Sequence, residues 1–578
     1  MVTRIEALKG ANTLSDIALL LGVTPKGLAY TIRIQPEAAK YTPFSIPKKS
    51  GGMRQIHAPE PGLKLIQGRL AAMLQDCIAD IDKERAIEDV ISHGFRRGRS
   101  IVTNAQQHCN RKHVFNVDIE NFFPTINLGR VRGFFIKNNQ FLLKEPVANT
   151  LAQIACHQNE LPQGAPTSPV ISNLIAHHLD IRLAALAKQY GCYYSRYADD
   201  LTFSTNLKEF PPKVGRIVDT NGAWIAGRSL RRELKSCGFV LNAKKTRLQL
   251  KQSRQEVTGI VVNRGVNVRR EYYKMARTKC DTLFKTGSFF DLVKKTSDDG
   301  TVEDIKVPGS IKQLNGVMSF IDFVKEARRK AIIAGRSETG DKIPKGFTAL
   351  YKKFLYFNNF YAPSLPTIVC EGKTDNVYIR LSAMALYKKL SLLTKSEENK
   401  VSLAVRLFNY SSTTLRLMGI GGGSGQLGNF IGQYRHNVSG FAAAGQKHPV
   451  IVLVDNDSGA KPIFSACAGI LKQPVNGDQP FYYLGDNLYV VPTPKGSGGV
   501  DTMIESFLPP KWLKVKLNGK KLNLENTKLD TKIEYGKSLF SEHVIKKNKK
   551  KVVFNSFEPL LLNLEAALAD YYKMLSVK

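Results

Sequence analysis

The sequence predicts a multidomain chain of mixed α/β and α+β class, with hairpins in its N-terminal part and a parallel sheet in its C-terminal part. Three observations carry this. The 578 residues exceed one ordinary domain and suffice for two to four. Tyr361-Ala362-Pro363-Ser364-Leu365-Pro366 puts two prolines into six residues, a linker signal. After it, strand-like Thr367–Cys370 and Val450–Val454 alternate with helical stretches, the pattern of a small α/β domain.

In chain order, residues 1–40 read as short helices, with Thr13 and Ser15 as N-cap candidates before Ile17–Leu21. Lys48–Gly52 reads as a turn followed by alternating Met53–His57, hence a basic hairpin that Pro59 and Pro61 end. Leu63–Ile81 has helical periodicity. Val114–Ile119 is strand-like and contains Asp118. Leu161–Pro169 is a Pro/Gly loop before a helix from about Val170 to Gln189, and Cys192–Ser204 holds a hairpin turning at Ala198-Asp199-Asp200. Ser297–Gly300 reads as a loop within a mostly helical region reaching about Asn359, and an apolar helix covers Pro559–Met574.

Lys and Arg number 84 against 49 Asp and Glu, a formal charge of +35, divided as +24 over residues 1–360 and +11 over the rest. An excess spread over both halves points to a polyanion, nucleic acid first. Residues 228–277 hold 14 basic against 3 acidic side chains, and 511–551 hold 13 lysines. No apolar run approaches the roughly 20 residues of a spanning helix, so no membrane role is expected. Eight cysteines without a CxxC pair suit a reducing cytosol, and a cytoplasmic protein is expected.

Two adjacent carboxylates in a tight turn repel each other unless a positive charge lies between them. Asp199 and Asp200, with Asp118 at the end of another strand, suit hard cations that serve phosphoryl transfer. Tyr197-Ala198-Asp199-Asp200, Phe122-Phe123 after Asp118, and Leu161-Pro162-Gln163-Gly164-Ala165-Pro166-Thr167-Ser168-Pro169 together resemble a reverse transcriptase palm. Asn104-Ala105-Gln106-Gln107-His108 and Val257-Thr258-Gly259 resemble the NAxxH and VTG elements of bacterial retron reverse transcriptases, a likeness covering roughly residues 10–320.

That resemblance implies a right-hand-like fold, with fingers and palm over 1–240 and thumb and connecting helices over 241–360. It implies an RNA-directed DNA polymerase that copies a structured non-coding RNA from a guanosine 2′-OH and makes branched msDNA from dNTPs. By it, Asp118, Asp199 and Asp200 would hold two Mg²⁺ ions. Phe123 would exclude the ribose 2′-OH, Arg54, Gln163 and Gly164 would contact the nucleotide, and Asn104, His108, Val257, Thr258 and Gly259 would select the RNA. The basic stretch 228–277 would hold the duplex through phosphates.

In the C-terminal part, Glu371 directly follows one apolar strand, and Asp455 and Asp457 follow another. The carboxyl ends of a parallel sheet form its ligand crevice, so these acids converge there if the strands end at those points. Glu371-Gly372 with Asp455-Asn456-Asp457 resembles the TOPRIM domain of topoisomerases, primases and OLD-family nucleases. The likeness covers 365–510 and leaves 511–578 as a Lys-rich extension. It implies a second Mg²⁺ site and a nuclease effector for antiphage defence; Asp501 or Glu505 could add an acid. The alternative is a non-catalytic nucleic-acid-binding or assembly module. Gly419–Gly425 lacks the Gly-Lys-Ser/Thr ending of a phosphate loop and reads as a turn. The sequence leaves a homo-oligomer open.

Overall fold

A computed structural model describes residues 2–48, 51–85, 91–218, 223–296, 302–335, 346–398, 400–524 and 529–577. The expected loop at 297–300 and part of the turn at 48–52 lie outside them. The chain forms two compact units: Met1–Arg270 with Phe323–Ile343, and Glu271–Asp322 with Pro344–Lys578. The division therefore does not fall at the Pro363–Pro366 linker. The reason is aromatic: Phe357, Phe360 and Tyr361, just before the linker, pack against Phe441, Phe430 and Tyr434 of the C-terminal segment. The proline stretch is thus an internal turn of the second unit.

In the first unit, helices Arg4–Lys9 and Leu14–Leu20 each begin at a threonine capping box, Thr13 pairing reciprocally with Asp16. Strands Tyr41–Pro47 and Met53–Pro59 make the basic hairpin, and helix Pro61–Arg85 follows. The central sheet is antiparallel, in the order Tyr193–Tyr197, Asp200–Thr205, His113–Asp118, Arg247–Leu250. Helix Ser168–Gln189 packs on it, and Phe115, Val117, Leu201, Phe203, Leu179 and Leu183 are buried together.

In the second unit, Arg406–Leu407, Thr367–Cys370, Val450–Val454 and Leu488–Pro492 run parallel, and Tyr482–Tyr483 closes one edge antiparallel. The two middle strands are buried at every residue, which explains their unbroken apolar runs. Helix Glu558–Val577 buries Leu560, Leu561, Leu564 and Leu568 in the same core. No single helix among the described residues is long and apolar enough to cross a membrane.

Candidate functional site

The first acidic site is made by strand pairing. Asp118 ends its strand and lies directly opposite Asp200 in the antiparallel ladder. Tyr197 also pairs with Asp200, so the turn is Ala198-Asp199 and Asp200 opens the next strand, one residue shorter than the sequence suggested. Ala198 has φ +58°, a left-handed conformation a non-glycine residue adopts only when its surroundings impose it. A two-residue hairpin turn calls for it, and the fully buried Arg196 braces it. Its guanidinium donates to both oxygens of Asp180 (2.8 and 2.7 Å) and to the Ala198 carbonyl at 3.1 Å.

The Lys245 ammonium donates to Asp118 Oδ2 at 2.8 Å. Burial raises the proton affinity of Asp199, and the charge of Asp118 adds to it. Burial of its carboxyl, then Asp199 and Asp118, push Asp200 up to about 7, although the residue as a whole is exposed. Burial pulls Lys245 down, but its bond to Asp118 and the three carboxylates hold it above its ordinary value. The cleft here has a volume of about 460 Å³ and is lined by Asp118, Asp200, Tyr197, Lys245, Thr258 and Gly259, among others.

Of the expected nucleotide contacts, Arg54, Gln163 and Gly164 lie on two segments that dock together. The His57 N–H donates to the Gln163 carbonyl at 2.8 Å, joining the Pro/Gly loop to the basic hairpin that carries Arg54. Gly164 has φ +120°, and a Cβ there would lie 2.8 Å from the His57 carbonyl oxygen, so only glycine permits this approach. Arg54 is exposed, and its charge acts on Asp199. Phe123 is half-buried, with its ring 5.5 Å from Phe122 and 6.2 Å from Phe95.

The residues expected to select RNA separate into two groups. Asn104 and His108 are fully buried. His108 Nδ1 and Nε2 each lie 2.7 Å from a serine hydroxyl, of Ser204 and Ser195, and Ser195 Oγ donates to Asn104 Oδ1 at 2.6 Å. These side chains bind the two strands of the Asp199–Asp200 hairpin together from inside and present no atom to RNA. In this arrangement they brace the hairpin. Val257 is also buried, while Thr258 and Gly259 reach the cleft, and Thr258 Oγ1 donates to the Ile101 carbonyl at 3.1 Å.

The second acidic site lies at the carboxyl ends of the parallel strands. Glu371 follows Cys370, Asp455 follows Val454, and the Asp455 N–H donates to Glu371 Oε2 at 3.3 Å. Asp455 Oδ1 accepts from the Ile504 N–H at 2.8 Å, and Asp375 accepts from the Gly372 N–H at 2.7 Å. Asp457 caps the turn Ser458–Ala460 by accepting from Gly459 at 2.8 Å. Burial, then Asp375, Glu505 and Glu371, push Asp455 up to about 8. Burial also raises Glu371, Asp375 and Glu505.

Glu505 is fully buried and 3.2 Å from the Lys537 ammonium, whereas Asp501 is exposed. Of the two optional acids, Glu505 is therefore the one in the cluster. Sequence reasoning missed Asp375 and Lys537. Asp375 signals itself only as an acid in a first helical turn, and Lys537 is one of many lysines in the extension.

Among the described residues no group of three or more His, Cys, Asp or Glu is already arranged to hold a metal ion. The donor chemistry nonetheless suits one in both sites. Crowded carboxylates there bind protons more tightly than usual, and Glu505 Oε1 is buried without a hydrogen-bond partner. A divalent cation accepts hard oxygen ligands of this kind.

Residues 46–262 match the family described as "Reverse transcriptase (RNA-dependent DNA polymerase)". Within that class, the chain is 33% identical over 248 residues to the retron Ec86 reverse transcriptase of Escherichia coli, covering 42% of this chain and 70% of the relative. It is 32% identical over 356 residues to the retron Mx162 reverse transcriptase of Myxococcus xanthus, covering 58% of this chain and 68% of that one. It is 36% identical over 280 residues to the retron Mx65 reverse transcriptase of the same organism, covering 45% of this chain and 60% of the relative's length. The chain belongs to the retron reverse transcriptases. A telomerase from Candida albicans overlaps with 11% identity and a TM-score of 0.29, over 55% of this chain and 58% of that one, too distant to inform function.

Proposed function

We propose that this chain is a cytosolic RNA-directed DNA polymerase that copies a structured non-coding RNA into msDNA. The observation that carries the reading is the meeting of Asp118 with Asp199 and Asp200 across one antiparallel ladder inside a basic cleft. Asp118, Asp199 and Asp200 would hold Mg²⁺, which when bound offsets charge on the attacking and leaving oxygens of phosphoryl transfer. Lys245 keeps Asp118 in place and supplies positive charge beside it. Arg54 would meet the triphosphate, and the Gly164 loop and Phe123 would bound the space of the dNTP sugar. The basic stretch 228–277 suits duplex held through its phosphates. The test is extension of a primed RNA template by the purified full chain with dNTPs and Mg²⁺. Failure of wild type to extend, or unchanged extension by Asp200→Asn, overturns the reading.

For the second unit we propose a TOPRIM-type, Mg²⁺-dependent nuclease that acts in antiphage defence and is coupled to the msDNA. The convergence of Glu371, Asp375, Asp455 and Glu505 at parallel strand ends supports it. The rival is a non-catalytic binding or assembly module, favoured by the Lys537 ammonium already seated on Glu505. Expressing Glu371→Gln with its RNA and challenging the cells with phage separates them. Loss of protection with msDNA intact supports the nuclease, and full protection supports the module.

A further inference from the structure

The second unit contains a cavity of about 360 Å³ whose lining includes Asn315, Ser319, Tyr351, Arg406, Phe408 and Asn409. Amides and hydroxyls dominate the remaining wall, and no carboxylate is among its lining residues. Arg406 lies on the edge strand of the parallel sheet. One nitrogen of its guanidinium donates to the Asn359 carbonyl at 2.7 Å and to Thr367 Oγ1 at 2.9 Å. Its Nε has no hydrogen-bond partner among the described residues, and neither has Oδ1 of Asn315. Asp322, whose charge acts on the lining residue Tyr351, is already paired with Arg416. Arg406 is thus a partly desolvated cation held by neutral groups alone, and buried charge is costly unless it is compensated.

We propose that this cavity binds a nucleotide, with its phosphate on Arg406 and its ring against the Tyr351 and Phe408 wall. An anion supplies the missing countercharge, and a base supplies donors and acceptors for the asparagines. The volume is at the lower end of small-molecule sites, roughly 300–1,000 Å³, and exceeds what a bare phosphate would fill. The site is separate from the acidic cluster at the strand ends and does not depend on the nuclease reading. The nucleotide could arrive free or as one unit of a single strand, and the experiment distinguishes the two.

The full chain is titrated calorimetrically with AMP, with adenosine, and with a 5′-phosphorylated deoxythymidine hexamer. EDTA is present so that neither acidic site takes part through a metal. Two variants are compared: Arg406→Gln, which removes the cation, and Asn409→Asp, which adds a negative charge. Asn409 is exposed and accepts from Asn376 through Oδ1 at 3.2 Å, a bond an aspartate retains, so this variant should fold even if the first does not. One-to-one AMP binding, weakened about tenfold or more in each folded variant and by loss of the phosphate in adenosine, establishes a free-nucleotide site. Absence of AMP binding with the same variant-dependent loss for the hexamer establishes a strand-borne nucleotide. Affinities unchanged in Asn409→Asp, or no binding of either probe, overturn the proposal.

Discussion

In the N-terminal site, Asp118 and Asp200 are direct partners across an antiparallel ladder and Asp199 is the adjoining residue. In the C-terminal site, Glu371, Asp375, Asp455 and Glu505 come from separate segments gathered where parallel strands end. The support differs accordingly. The hairpin turn is held by buried side chains, Arg196 with Asp180 on one side and the His108–Ser195–Asn104 group on the other. The C-terminal carboxylates are held mainly by backbone N–H groups of Asp455, Ile504 and Gly372. Each site also has one lysine on one acid, Lys245 on Asp118 and Lys537 on Glu505. An antiparallel turn brings acids together cheaply in sequence but needs a side-chain scaffold to hold them. A parallel sheet places its acids with the main chain itself.

The largest expected effect separates the two sites outright. Asp200→Asn should lower DNA synthesis by about a thousandfold or more, because one ligand charge lost from a shared site is worth several kcal/mol in the transition state. Glu371→Gln should leave primer extension at wild-type rate. Equal losses in both variants would mean the sites are not independent.

The scaffold difference predicts a stability effect confined to the first unit. Asp180→Leu leaves the fully buried Arg196 without its carboxylate, and breaking such a pair costs about 3–5 kcal/mol. Urea unfolding of the full chain should show an early transition that takes polymerase activity with it. A loss below about 1 kcal/mol would mean that water or a shifted side chain compensates Arg196. A smaller effect is expected at Phe123: Phe123→Ala should raise ribonucleotide use relative to deoxyribonucleotides while synthesis persists. An unchanged preference in the active variant would move the gate elsewhere, with Phe95 the neighbouring ring to test next.

The same contrast explains what could be read from the sequence. The first site was legible because its acids sit on one hairpin and one strand, whose alternation and apolar runs are local signals. Glu371 and Asp455 were legible as acids ending apolar strands. Glu505 was legible only as one of two optional acids and Lys537 not at all, because their burial depends on where a 3₁₀ turn and a distant extension pack, which no local pattern encodes. Asn104 and His108 stand out in the sequence, but their spacing does not reveal that they bond Ser195 inside the unit. The compact units also escaped the proline signal, because aromatic packing across Pro363–Pro366 outweighs a turn-forming composition.

The finest test of the braced hairpin is its response to acid. His108 is fully buried between two serine hydroxyls, and burial holds its pKa down to about 3, with Arg111 and His93 adding repulsion. In the unfolded chain the imidazole takes a proton near its ordinary value of about 6.5. The folded state is therefore the poorer proton binder, so the contribution of His108 is fully present above about pH 6.5 and is lost as pH falls toward 3. Between these limits the expected slope is about 1.4 kcal/mol per pH unit. Other groups titrate in this range, so the measurement is a difference. Urea unfolding of wild type and His108→Gln is compared at pH 7 and pH 5, with the polymerase-linked transition as readout. Wild type should lose more stability than the variant over that interval, by about 2 kcal/mol. The variant should be weaker at pH 7, where it has exchanged one of two serine bonds for an imperfect amide. Parallel pH curves would mean that His108 is solvated or charged in the folded protein, and the hairpin would then have to be held by Arg196 alone.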